Sequence, residues 1–271
     1  MILSGEKIKE YREIGLIKIE PYNEDMVSIN SVDICLGEEA YMVGKHQLTL
    51  IGRAPEKTIS SAAFRDLYSK DNIDSIYEKK VPISARTFAT RLGNEYNEFC
   101  HDATTKEKFL SEFAESRLLE SNEEIQKRLH TFIESIGEDT MGFMLAPREF
   151  MIGTTLEEIG SVALPSSEGE AAPIAIVPEM RAKSTTGRHG ISVALCAGMG
   201  DIGYSSRWAL EVHNNHDSYV FLAIGTAIGQ VVFHYAYPQK KIYSGKDRYQ
   251  DLDSKTVRFV PKAMSIKGKN R

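Results

Sequence analysis

The stretch KSTTGRHGISVALCAGMGDIGYSSRWALEVHNN, Lys183–Asn215, sets a basic, hydroxyl-rich turn directly before strand-like runs. In the last of these, RWALEVHNN, a period of two puts Trp208, Leu210 and Val212 on one face. Arg207, Ala209, Glu211 and His213 fall on the other. If that second face meets solvent, Glu211 is an ordinary surface carboxylate. If it lines a cleft, Glu211 is an acid/base candidate. The turn is open to two readings as well. Lys183, Ser184, Thr185, Thr186 and Arg188 bring cations and hydroxyls together, and Gly187 and Gly190 permit close backbone approach. That composition suits an anion cradle, and it equally suits a polar surface loop.

Working outward, ISVAL, YVFLAIG and QVVFHYAY are rich in β-branched and aromatic residues and read as further strands. Near the N-terminus, Ser4 can cap a short helix through about Arg12, followed by a short strand at LIKIEP. In SINSVDICLG, Val32, Ile34 and Leu36 alternate with Asp33 and Cys35. Short strands separated by turn signals predict a sandwich or barrel-like β domain. Between about Arg86 and Gly137 the period changes. Ile125, Leu129, Phe132, Ile133 and Ile136 recur at helical spacing. Ser121 and Glu124 form a capping box, and Gly137 is a stop. Two or three helices are expected there.

Composition narrows the function classes. The chain has 271 residues, 42% hydrophobic and 26% charged, which fits a soluble globular protein. A net charge of -5 argues against a nucleic-acid coat but leaves room for a local basic pocket. The three cysteines, Cys35, Cys100 and Cys196, are widely spaced and favour a reduced, cytoplasmic chain. The opening MILSGEKIKEYREIG carries charges where a signal peptide needs an apolar core. YVFLAIGTAIGQVVF falls short of the ~20 apolar residues of a spanning helix, so no membrane partner is expected. Zinc chemistry is disfavoured: neither H-x-E with P-C-x-x-C nor H-E-x-x-H occurs. His189 and His213 read as structural or surface residues. The P-loop and the nucleophile elbow are missing as well.

Seven stretches, in order along the chain, resemble motifs of the metal-independent dCTP deaminases of the trimeric dUTPase superfamily. KSTTGRHG resembles the family's R-S-S-L-G-R-L-G turn, and MGDIGY followed by LEVHNN resembles its I-D-P-G-[WF] turn and L-E-x-x-N strand. SINSVDICLG, LAPREFMIGTTLEEI, IGTAIGQVVF and YSGKDRYQ resemble the flanking strands and the C-terminal closure segment. The resemblance implies a mainly β fold, a dUTPase-like distorted barrel or jelly roll. One such domain would span residues 1–271, with residues 86–137 as a helical insertion.

It also implies hydrolytic deamination of a deoxycytidine nucleotide, dCTP or dCMP, at C4. The active sites would be shared in a homotrimer. By position Glu211 matches the proton shuttle, and Ser184 and Arg188 match the pair that positions the water. Lys183, Thr185, Thr186 and Gly187 fall in the phosphate-contacting turn, and Asp201 matches an aspartate near the sugar. Ala197, Ala209 and Leu210 match positions beside the base. Tyr243, Arg248 and Gln250 match the closure segment. Mg2+ would accompany the phosphates as a charge neutraliser, not as the activator of water.

The chain departs from the family pattern at Lys183, where arginine is usual, and at Ile202, where the proline is lost. Two alternatives stay open. One is a dUTPase, or a bifunctional enzyme that forms dUMP, since Asp201 and Tyr204 resemble a dUTPase motif. The other is a non-catalytic nucleotide-binding trimer.

Overall fold

The computed structural model describes residues 1–43, 77–101, 122–162, 175–193 and 198–236. They cluster into two compact units. One is drawn from Met1–Lys80, Glu149–Asn215 and Gly225–Arg271, the other from Val81–Arg148 and His216–Ile224.

The first unit is built on one antiparallel sheet. Its strands are β1 (Ile17–Glu20), β2 (Val32–Val43), β3 (Tyr77–Lys79), β6 (Phe150–Ser161), β7 (Ala175–Ala182), β8 (Ile191–Val193), β9 (Ser205–Asn214) and β11 (Ala227–Ala236). The main path runs β7-β11-β2-β6-β9-β8, with β1 added to β6 and β3 to β2. Gly198–Gly200 then bond to β7: Met180 N–H donates to Gly198 and Gly200 N–H to Pro178, and Met199 bridges Glu179. The segment that leaves β8 thus meets the opposite end of the path, which curls the sheet into a nearly closed barrel. Pro178 lacks an N–H, so it suits an edge where only its carbonyl is needed. At Gly200 a Cβ would lie 2.5 Å from the Trp208 ring, so only glycine fits this closure.

The expected alternation is visible along β9. Trp208, Leu210 and Val212 are buried, and Glu211 and His213 are partly exposed on the other face. On β2, Val32, Ile34 and Leu36 are buried as expected, but so is Cys35. The ladder to β11 shifts register at Cys35, between Ala227 and Gly229, and Glu157, inside the β6 irregularity between Thr154 and Glu158, accepts from the Cys35 amide. The N-terminal helix, Gly5–Glu13, is capped by Ser4, whose hydroxyl accepts from Lys7 N–H. Ile8 and Tyr11 are its buried side chains.

The second unit holds the antiparallel strands β4 (Ile83–Ser84), β5 (Met141–Leu145) and β10 (Val220–Ala223), in the order β10-β5-β4. It also holds the helices Ala85–His101 and Asn122–Ile136. Phe88, Phe132 and Phe221 meet with ring centroids 5.2–5.6 Å apart and form an aromatic core. Gly137, at φ 86, ends the second helix by donating to Ile133. Ser121 of the expected capping box lies outside the described residues. The mainly β architecture with a helical block matches the sequence reading.

Candidate functional site

Thr186 and its neighbours form a five-residue helix, Ser184–Arg188, between β7 and β8. It starts at Lys183, whose backbone is extended and whose side chain makes no cap. Its first-turn N–H groups therefore have no partner within the helix. Thr186 is buried, while Ser184, Thr185, Gly187 and Arg188 are exposed. The hydroxyls of Ser184 and Thr185 and the Arg188 guanidinium thus share one short exposed turn.

Both ends of the turn are pinned by the barrel. At the exit, Gly190 takes φ 67, a left-handed conformation that suits glycine. Its carbonyl accepts from both the backbone and the side-chain N–H of Asn215, each at 3.0 Å. Asn215 also donates to Ser192 Oγ at 2.8 Å and pairs with His213 Nδ1 at 2.7 Å. At the entry, Gln230 of β11 donates to the Ala182 carbonyl at 3.4 Å and accepts from Ser31 at 3.1 Å. The Lys183 ammonium is ion-paired with Asp33 of β2.

From Gly190 the chain runs straight into β8. Ile191 pairs with Asn214 and Val193 with Val212, so the turn hangs from the strand that carries Glu211. On its other side β9 pairs with β6, which sets Ile152 opposite Glu211 and Thr154 opposite Ala209. β6 thus fixes the backbone of Glu211 directly, β8 pairs from the next residue, Val212, and the period of two sends the Glu211 side chain outward with those of Ala209 and His213. Leu210 is fully buried in the barrel, so it can approach a base only through its main chain.

Asp201 begins a tight turn closed by Tyr204 N–H to the Asp201 carbonyl at 3.0 Å, with Gly203 at φ 87. A positive φ at the third position is the type II geometry. The turn survives the loss of the family's proline because Ile202 takes that position and is buried. Tyr204 packs edge-on against Trp208 at 5.8 Å, and burial raises its phenol pKa. Ala197, Tyr243, Arg248 and Gln250 lie outside the described residues.

Asp33, Asn215 and Gln230 support the site and were not singled out in the sequence. Asn215 ends the opening stretch, and Asp33 stands in the SINSVDICLG motif, so position was the available signal. Among the described residues, no group of three or more His, Cys, Asp and Glu side chains is arranged to hold a metal ion. Among them, too, no helix is long and apolar enough to cross a membrane.

The family model for dCTP deaminase-like proteins matches residues 104–236, which include the turn, β9 and Glu211. That match covers just under half of the chain, and over those residues the chain is similar to the dCTP deaminase-like family. A dCTP deaminase from Haloarcula marismortui is 28% identical over 166 residues, 59% of this chain and 70% of that relative. A "dCTP deaminase, dUMP-forming" from Halobacterium salinarum is 30% identical over 138 residues, 50% of this chain and 62% of the relative. Among solved structures, the 2'-deoxycytidine 5'-triphosphate deaminase from Agrobacterium tumefaciens is similar with a TM-score of 0.43 and 15% identity. That match covers 86% of this chain but only 47% of the other, so the chain spans about half of that protein's length.

Proposed function

We propose that this dCTP deaminase-like chain deaminates a deoxycytidine nucleotide at C4 and releases ammonia. The observation that carries the reading is the placement of Glu211. It stands on the outward face of a strand held between two others, and the adjoining strand leads directly from the hydroxyl and arginine turn. Similarity to the dCTP deaminase-like family over residues 104–236 supports the choice of substrate class.

In this mechanism the Glu211 carboxylate takes a proton from water as the oxygen attacks C4 of cytosine. The C4–O bond forms, the C4=N3 electron pair moves to N3, and Glu211 delivers the proton there. Glu211 takes the hydroxyl proton as the C4–N bond breaks, and it passes that proton to the departing amine. The new carbonyl and ammonia balance the water consumed. Arg188 stays charged and orients water and carboxylate, while Ser184 both donates and accepts. Thr185, Thr186 and Gly187 line the phosphate end, Asp201 lies near the sugar, and the backbone at Ala209 and Leu210 lies beside the base.

No zinc takes part in this scheme, because water activation falls to Glu211. Mg2+ would accompany the phosphates and supply charge neutralisation there. The active unit is a homotrimer with sites shared between copies, and residues 86–137 are an insertion in the deaminase domain. A dUMP-forming variant of the reaction is the second reading, favoured by similarity to the dUMP-forming Halobacterium salinarum relative.

Incubation with dCTP, dCMP and dUTP, followed by ammonia and product analysis, tests these readings. Ammonia release that is lost in Glu211→Gln supports deamination. dUMP and pyrophosphate from dCTP identify the dUMP-forming variant. Turnover of dUTP with deoxycytidine nucleotides untouched would overturn the proposal.

A further inference from the structure

We propose that Asp33 determines phosphate specificity: by pairing with Lys183 it keeps the first cation of the turn away from the nucleotide, and so disfavours the triphosphate relative to the monophosphate. The inference rests on the reading of Ser184–Arg188 as a phosphate-contacting turn.

Lys183 and Asp33 are brought together across β11. Gln230 of that strand stands opposite Arg181 on one side and Asp33 on the other. The two side chains are 23% and 24% exposed, so the pair lies mostly out of solvent, where salt screens it little. The lysine is not left to swing. Gln230 fixes the Ala182 carbonyl just before it, and the Gly187 N–H donates to the Lys183 carbonyl at 3.0 Å.

The turn's two cations therefore differ. Arg188 is exposed, whereas the Lys183 ammonium already has a carboxylate partner. Lysine is a compact point charge, so a carboxylate in contact cancels most of its pull on a second anion. The exposed hydroxyls of Ser184 and Thr185 are left for the first phosphate group. Further phosphates need additional positive charge, and Asp33 both withholds Lys183 and adds a nearby negative charge.

The test is nucleotide affinity, measured by calorimetry with dCTP and dCMP in the presence of Mg2+. The full chain carries Glu211→Gln so that substrate is not consumed. Asp33→Asn is expected to tighten dCTP about tenfold and dCMP less than about threefold, the scale of one hydrogen bond to a charged group. Lys183→Gln alone is expected to change dCTP affinity less than about threefold, and in the Asp33→Asn background to erase the gain. Weakening of both nucleotides by Asp33→Asn to the same degree would show a scaffold role and overturn the proposal. So would an about tenfold loss of dCTP affinity in Lys183→Gln alone, since the lysine would then already contact phosphate. That single variant decides the matter if Asp33→Asn does not fold.

Ammonia release by the unsubstituted chain is scored separately. Ammonia with an unchanged dCTP/dCMP ratio removes only the role of Asp33. A shifted ratio without ammonia supports that role and removes only the deamination reading. Binding of neither nucleotide removes both.

Discussion

Glu157→Gln is expected to alter the pH dependence of stability more than stability itself. Glu157 is 6% exposed and accepts the Cys35 N–H with both carboxylate oxygens, at 3.2 and 3.0 Å. Burial raises its pKa above the ordinary 4.5, and the Cys35 amide and the Arg207 charge pull it back only in part. The folded state then holds the proton to higher pH than the unfolded chain does. The stabilisation from this proton is complete below the ordinary carboxylate pKa and is lost as pH rises through the folded value. Inside that window the limiting slope is about 1.4 kcal/mol per pH unit for one group. Glutamine keeps a carbonyl for the Cys35 amide and does not titrate.

Urea unfolding of the chain and of Glu157→Gln, at steps from pH 4.5 to 8, gives the difference directly, because the other titrating groups cancel. That difference should shift against the unsubstituted chain as pH rises. Glu157→Ala is the companion variant. It leaves the buried Cys35 amide without its acceptor, at a cost of ~1–3 kcal/mol before any cavity term. A difference between the unsubstituted chain and Glu157→Gln that stays flat with pH would refute the reasoning, as would an alanine variant no less stable than the glutamine one.

Three further outcomes are expected. Trp208→Ala should cost about 3–5 kcal/mol in urea unfolding, since the ring is 5% exposed, covers Gly200 and donates to the Ile159 carbonyl. A loss below about 1 kcal/mol would contradict this packing. The Cys35 thiol, its pKa pushed up to about 12 by burial and by Glu157, should resist a thiol reagent at pH 8 in a Cys100→Ser/Cys196→Ser chain. It should react fully once the chain is unfolded in urea. Asn215→Ala should raise KM for the nucleotide several-fold and cost only about 1 kcal/mol of stability, because it frees the exit of the turn at an exposed position. An unchanged KM in a steady-state ammonia assay would count against the pinning of the turn.

Much of the fold was legible in local pattern. The Ser4 cap, the glycine stop at Gly137 and the inward set Trp208, Leu210 and Val212 each depend on neighbours a few residues away, and each is found where spacing put it. Cys35 was misjudged because alternation assumes an unbroken ladder, and the ladder to β11 shifts register at Cys35. Of the site, the residue types were readable. The partners that hold them were not: Asn215 on Gly190, Gln230 on Ala182 and Asp33 on Lys183 all join segments distant in sequence.

The sequence by itself determined the strand periods, the hydroxyl and arginine turn, and the ordered motifs that point to deoxycytidine chemistry. These are written in short windows, where backbone geometry repeats every two or every 3.6 residues. Only the tertiary structure decided that Glu157 is buried at a bulge and that Gly198–Gly200 meet β7. It alone showed that Lys183 belongs to Asp33, a residue 150 positions away. Electrostatic and hydrogen-bonding partners depend on distance in space, and register across three strands sets that distance without leaving a local period to read.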